Sequence, residues 1–273
     1  FSKYRGRALS VANLGYSLGE SFLPMFFVGI LVWLPWRSVW LFSAIFPLIV
    51  AVAIYCALKD ERSPKSFKED KVSFGIGGRH WSRSQVLKSS IFWFAFPGLL
   101  GLPAFGTVLF FQQVNYAALK GWDHLSMVKA YPLFTIMAVG VSFLSGSLID
   151  RHGATKLIGL YQIPAVFGFY VFSICETVMG FSIGLILFAV TAGSNNIIPN
   201  AFWAECFGTS HLGRIKSLAA GIMVIGSALG PLISGVLIDV GFNLNSQYIL
   251  FATYFILSSA LLFACTRKIL VNN

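Results

Sequence analysis

The chain has 273 residues, 56% hydrophobic and only 11% charged, with 27 Phe and a formal net charge of +10. So few charges cannot cover a soluble domain of this size, and apolar runs near the ~20 residues that cross a ~30 Å hydrocarbon layer recur along it. The basic balance raises nucleic acid as a partner, but no recognition motif accompanies it, and nucleic-acid binding is excluded from the reading.

Hydropathy and helix breakers place eight α-helical spans, near 8–31, 38–58, 89–117, 128–149, 156–175, 178–203, 213–239 and 247–266. The expected fold class is all-α, a polytopic helical membrane protein. The 20 Lys and Arg sort sharply by side. One side holds Lys3, Arg5, Arg7, Lys59, Arg62, Lys65, Lys68, Lys71, Arg79, Arg83, Lys88, Arg151, Lys156, Arg214, Lys216, Arg267 and Lys268, and the other holds only Arg37, Lys120 and Lys129. Positive charge stays inside, so both ends of this chain are expected in the cytoplasm, in a plasma or bacterial inner membrane.

The first span lies in GRALSVANLGYSLGESFLP (6–24) and carries Glu20, the one acid near mid-membrane. An ionised carboxylate there costs about 2.5 kcal/mol or more on insertion scales. Burial favours the neutral form of a carboxyl, which makes Glu20 a proton-coupling candidate; a hydrogen-bonded structural acid is the other reading. After the second span, residues 59–88 mix both charge signs with Gly, Ser and Pro. They read as a cytoplasmic linker with a short interfacial piece near Trp81. The expected organisation is thus 1–58, the last two spans of a first bundle; 59–88, the linker; and 89–273, a six-span second bundle.

The third span is long and is expected to tilt or bend near Pro97 or Pro103. Its outer half carries Gln112, Gln113, Asn115 and Tyr116. The span at 178–203 carries Asn195, Asn196 and Asn200 in its inner half, with Asn196 and Asn200 four apart on one face. Amides in a bilayer need partners, so these seven residues are candidates for a solute-facing wall, with interhelical hydrogen bonding as the plainer alternative. The span at 156–175 has few polar residues, Tyr161-Gln162 being the exception.

The seventh span repeats the first. GRIKSLAAGIMVIGSALGP (213–231) aligns without a gap on residues 6–24 at an offset of 207, with six identities: Gly6/Gly213, Arg7/Arg214, Ser10/Ser217, Ala12/Ala219, Gly19/Gly226 and Pro24/Pro231. Both copies enter the membrane in the same direction, as duplicated halves related by an axis along the membrane normal do. Six spans follow the linker and two precede it. Equal halves would start the first about 120 residues before Phe1, so the chain reads as the last eight of twelve spans. No transport is expected from these residues alone.

The loop GSLIDRHGATK (146–156) resembles the Gly-x-x-x-Asp-Arg-x-Gly-x-x-Lys/Arg signature of the major facilitator superfamily, with Gly146, Asp150, Arg151, Gly153 and Lys156 in place. A small residue admits a close helix approach, and an acid and a base at helix ends can pair with each other or with a neighbouring helix dipole. The resemblance implies a cytoplasmic latch that holds the outward-facing arrangement. It also implies a central cavity lined by the spans at 89–117 and 178–203, and a monomer when full-length. Glu20 stands where the family's antiporter motif has a proline after Gly15-x-x-x-Gly19, a departure that argues against a drug-proton antiporter. GVLIDVG (235–241) copies the loop signature on the outer side without its arginine and is given no gating role. FFQQV with its Gly-Trp turn faintly resembles monocarboxylate-porter-type members, although no buried cation for an anion is visible.

The function expected is secondary active transport of a small solute by alternating access, proton-coupled as a symporter, with an organic anion as one solute class. A non-transporting receptor or scaffold of the same fold is the alternative; a membrane-embedded transferase ranks lower, for want of a reactive cluster. The four Cys and four His (His80, His124, His152 and His211) show no metal spacing, so no enzyme activity, cofactor or metal is expected. The partners expected are the solute, H+ and membrane lipid.

Overall fold

The computed structural model describes residues 33–57 and 74–271, with positions 15, 19, 22, 23, 26, 27 and 29–31. Glu20 lies outside the described residues. The chain separates into two compact units, Phe1–Val72 and Ser73–Asn273. The described residues form helices and turns, without a strand.

In the first unit, α1 (Trp36–Ala57) starts after Pro35, whose carbonyl accepts the Ser38 N–H at 2.9 Å. It is apolar all round and almost wholly exposed, as a membrane helix is.

The second unit begins with a 3-10 turn (Ile76–Gly78) and α2 (Arg83–Lys88). There follow α3 (Ser90–Phe111), α4 (Gln113–Lys120), α5 (His124–Val128), α6 (Tyr131–His152), α7 (Ala154–Leu157), α8 (Ile163–Ile174), α9 (Val178–Asn195), α10 (Ile198–Phe207), α11 (Leu212–Asp239) and α12 (Leu244–Val271). Among the described residues, six stretches are long and apolar enough to cross a membrane: Trp36–Cys56, Ser90–Phe111, His124–His152, Val178–Phe207, Leu212–Asp239 and Leu244–Arg267. Each overlaps a span expected from hydropathy. The span expected at 156–175 divides instead into α7, a run of turns and the 12-residue α8. At 1.5 Å per residue α8 rises only about 18 Å.

The long third span does not divide at a proline. α3 runs through Pro97 and Pro103 and ends at Gln112, where φ −90° and ψ 12° leave the helical region before α4 begins. Side chains from elsewhere in the fold add donors along this stretch, on carbonyls next to the prolines. Tyr254 Oη of α12 donates to the Pro97 carbonyl at 2.8 Å, and Gln162 Nε2 donates to the Gly98 carbonyl at 2.6 Å. Thr107 Oγ1 donates to the Pro103 carbonyl from the same helix.

Small residues set the helix crossings. On α11, a Cβ at Gly226 would lie 3.1 Å from the Leu100 carbonyl oxygen, and one at Gly230 would overlap the Ala104 carbonyl. Gly226 and Gly230, four apart on one face, therefore seat α11 on α3. Gly193 of α9 meets the Ala138 carbonyl of α6 in the same way. Two aromatic-rich cores result. One gathers Tyr116, Phe169, Phe181 and Tyr248; the other gathers Phe92, Trp203, Phe207 and Ile215 at the end where Arg151 and Arg214 lie.

Candidate functional site

At this basic end, α6 stops because Gly153 takes φ +80°, a conformation that L side chains rarely adopt. The turn exposes the first amides of α7, which have no intrahelical partner. Glu205, near the end of α10, fills that vacancy. Its Oε1 accepts the Ala154 N–H at 2.8 Å, and its Oε2 accepts the Thr155 N–H at 2.9 Å and the Thr155 hydroxyl at 2.8 Å. A Cβ on Gly153 would stand 3.8 Å from both carboxylate oxygens. A charged acceptor on two amides at a helix start combines charge-assisted hydrogen bonds with the favourable end of the peptide dipoles.

The signature residues divide around this contact. Asp150, Arg151 and Lys156 are exposed, and Asp150 and Arg151 form no ion pair with another described residue. Gly146, expected at a close helix approach, has nothing within 4 Å of its Cβ position among the described residues. The acid that grips the loop is Glu205 rather than Asp150. In sequence Glu205 is simply an acid near a span end. Its one signal is an acid at the inner terminus of an apolar run, on the side that holds most of the basic residues.

The outer polar group is partly drawn together. Asn115 Nδ2 donates to Gln112 Oε1 at 2.6 Å, and Tyr131 Oη of α6 donates to Gln113 Oε1 at 2.5 Å. Tyr131 is the partner the sequence reading missed. Tyr116 departs from the expected wall: it is 0% exposed, its hydroxyl donates to the Phe172 carbonyl, and its ring packs on Trp122, Phe181 and Tyr248. Its aromatic body stabilises the core more than an amide-lined wall could. Just beyond it, Lys120 and Glu176 form an ion pair at 2.9 Å. In the loop that follows, the Ser126 N–H and hydroxyl hold the Asp123 carboxyl below its ordinary range.

The asparagine group sits elsewhere. Pro199, which has no N–H to give, lies just after the break between α9 and α10 at residues 196–197. Asn200 Nδ2 donates back to the Asn196 carbonyl at 2.8 Å, and both residues are exposed, while Asn195 is half-buried. Asn196 lies about four turns, roughly 22 Å, along α9 from Phe181 beside Tyr116. The structure therefore does not gather the two amide groups into one cluster. Among the described residues, no group of three His, Cys, Asp or Glu stands together as a metal site.

Five membrane-length stretches in one unit, with a gripped loop between α6 and α8, define a class, the polytopic α-helical membrane proteins. The model of the Major Facilitator Superfamily matches residues 1–231. The chain belongs to the Major Facilitator Superfamily and is an integral membrane protein of a transporter family. It is also similar to the agnestins efflux protein AgnL12 of Paecilomyces divaricatus, with 30% identity over 141 residues. That stretch covers 51% of this chain and 31% of the relative, so the chain matches about a third of the relative's length.

Proposed function

We propose that the chain serves a secondary transporter that exports a small organic solute by alternating access, with the 146–156 loop as a cytoplasmic latch held by Glu205. The observation that carries this reading is the Glu205 carboxylate bonding the Ala154 and Thr155 amides across about 50 residues of sequence. Such a contact is small, discrete and breakable, which suits an element that is made in one state and released in the other. The efflux relative supports export as the direction. Gln112, Gln113 and Asn115 at the outer end, and Asn195, Asn196 and Asn200 in a separate group, offer the solute neutral hydrogen-bonding groups along its path rather than in one site. That favours an uncharged or weakly acidic organic molecule over a strong anion. Glu20 is the proposed coupling carboxylate; with solute leaving, its proton would move inward, as antiport rather than the symport first expected.

The test is solute and proton flux in proteoliposomes holding the protein, with pooled organic solutes. Flux that needs Glu205 supports the latch, and proton flux that vanishes in Glu20→Gln while solute exchange survives supports coupling. Binding without flux would favour a receptor instead.

A further inference from the structure

Residues 59–88 read as a linker, yet their second half is folded onto the second unit. We infer that the segment 74–82 is a clasp that positions the Glu205 carboxylate, making Gly75 and Trp81 positioning residues for the latch; its functional consequence rests on the latch reading above.

The last turn of a helix leaves carbonyls without partners. At the end of α10, the Phe207 carbonyl accepts the Trp81 N–H at 3.1 Å. The Trp81 ring meets Phe207 edge-on with centroids 5.4 Å apart, and Phe207 in turn stacks on Trp203 at 5.7 Å. Gly75 lies flat on the same turn. A Cβ there would stand 2.6 Å from the Cys206 carbonyl oxygen and 2.7 Å from the Gly208 nitrogen, contacts that no real side chain makes. The residues gripped from this side, Cys206 to Gly208, directly follow Glu205.

The clasp is closed on itself before it touches α10. The Gly75 N–H donates to the Arg79 carbonyl at 3.0 Å, and the Gly78 N–H to the Gly75 carbonyl at 3.1 Å. Trp81 Nε1–H donates to the Ile76 carbonyl at 3.2 Å, and the Arg79 guanidinium lies 4.3 Å from the Trp81 ring centre. Gly77 and Gly78 take positive φ to make the turn. At the clasp's end, Ser82 and Gln85 form a reciprocal cap that starts α2, whose Val86 is buried in the same core as Trp203. One end of α10 is thus held by the clasp while its Glu205 holds the loop. A helix end freed from such contacts frays, and a carboxylate on it loses its aim at two amides.

Hydrogen exchange on the full protein in nanodiscs, read at the Ala154 and Thr155 amides, tests this. Glu205→Ala should speed their exchange on the order of tenfold, the scale of losing a helix cap. Trp81→Ala and Gly75→Val should approach that effect, Trp81→Phe should restore protection, and neither clasp variant should add to Glu205→Ala. Unchanged exchange at 154–155 when residues 75–82 have come loose would overturn the inference, as would additive effects. Transport that ignores Glu205 would overturn the latch reading and leave this exchange result standing.

Discussion

Glu205 and Thr155 lie 50 positions apart and share two hydrogen bonds, one from the Thr155 amide at 2.9 Å and one from its hydroxyl at 2.8 Å. The hydroxyl bond makes Thr155 a second handle on the same carboxylate. Thr155→Val removes that bond and keeps the amide, so it should weaken the loop contact by about 1 kcal/mol. Proteolysis of the loop in the reconstituted protein should then speed up for Thr155→Val and more so for Glu205→Ala. Equal resistance in all three proteins would show that the carboxylate does not hold the loop.

The seat of α11 on α3 sets a contrast between glycines of one helix. Gly230→Ala places a methyl against the Ala104 carbonyl and should destabilise the unit by about 1–3 kcal/mol, the range for overpacking. Gly221→Ala and Gly235→Ala meet open space and should be neutral, or stabilise by up to about 1 kcal/mol through helix propensity. Thermal unfolding in detergent ranks the three; a Gly230→Ala protein as stable as the wild type would refute the crossing.

Gln162 is 0% exposed and fully engaged: its amide donates to the Gly98 carbonyl at 2.6 Å and to Tyr161 Oη at 2.9 Å, and its oxygen accepts from Ser258 Oγ. Gln162→Leu removes all three bonds, leaving Ser258 Oγ only the Phe255 carbonyl at 3.2 Å, and should cost about 1–3 kcal/mol. Combined with Ser258→Ala the loss should be less than the sum of the two, because the bond they share is lost only once. Additive losses in denaturant titrations would mean that the two residues do not share a bond.

Asp123 caps α5 through Ser126, which holds its carboxyl below the ordinary range. A group lowered in the folded state contributes stability that is present above its unfolded value and lost as pH falls through the folded one. Exchange at the Ser126 amide, corrected for its intrinsic pH dependence, should therefore rise on acidification below the usual carboxylate range. Asp123→Ala should abolish that pH dependence and leave the amide unprotected throughout. A pH-independent wild type would contradict the cap.

Six of the eight spans were legible because lipid demands long apolar runs. The loop's location was legible from Gly146 to Lys156, but its binding partner was not. Glu205 reaches Ala154 through the packing of α10 beside α7, and no local pattern announces a contact of that separation. Tyr116 misled for a related reason: a tyrosine among amides looks polar in sequence, while its ring is worth more in the core. The helix runs through Pro97 and Pro103, where Tyr254 of α12 and Gln162, just before α8, donate from far away in sequence. Glu20, legible as a cost, falls outside the described residues.

The most direct test of the latch is the solute's apparent affinity from each side of the membrane, in right-side-out and inside-out vesicles, for wild type and Glu205→Ala. A latch that closes the cytoplasmic side holds the carrier outward, and a ligand's apparent affinity scales with the fraction of carriers that can bind it. Glu205→Ala should therefore improve the cytoplasmic-side affinity and weaken the outer-side one, in opposite directions. Affinities that fall together on both sides, or do not move, would contradict the account.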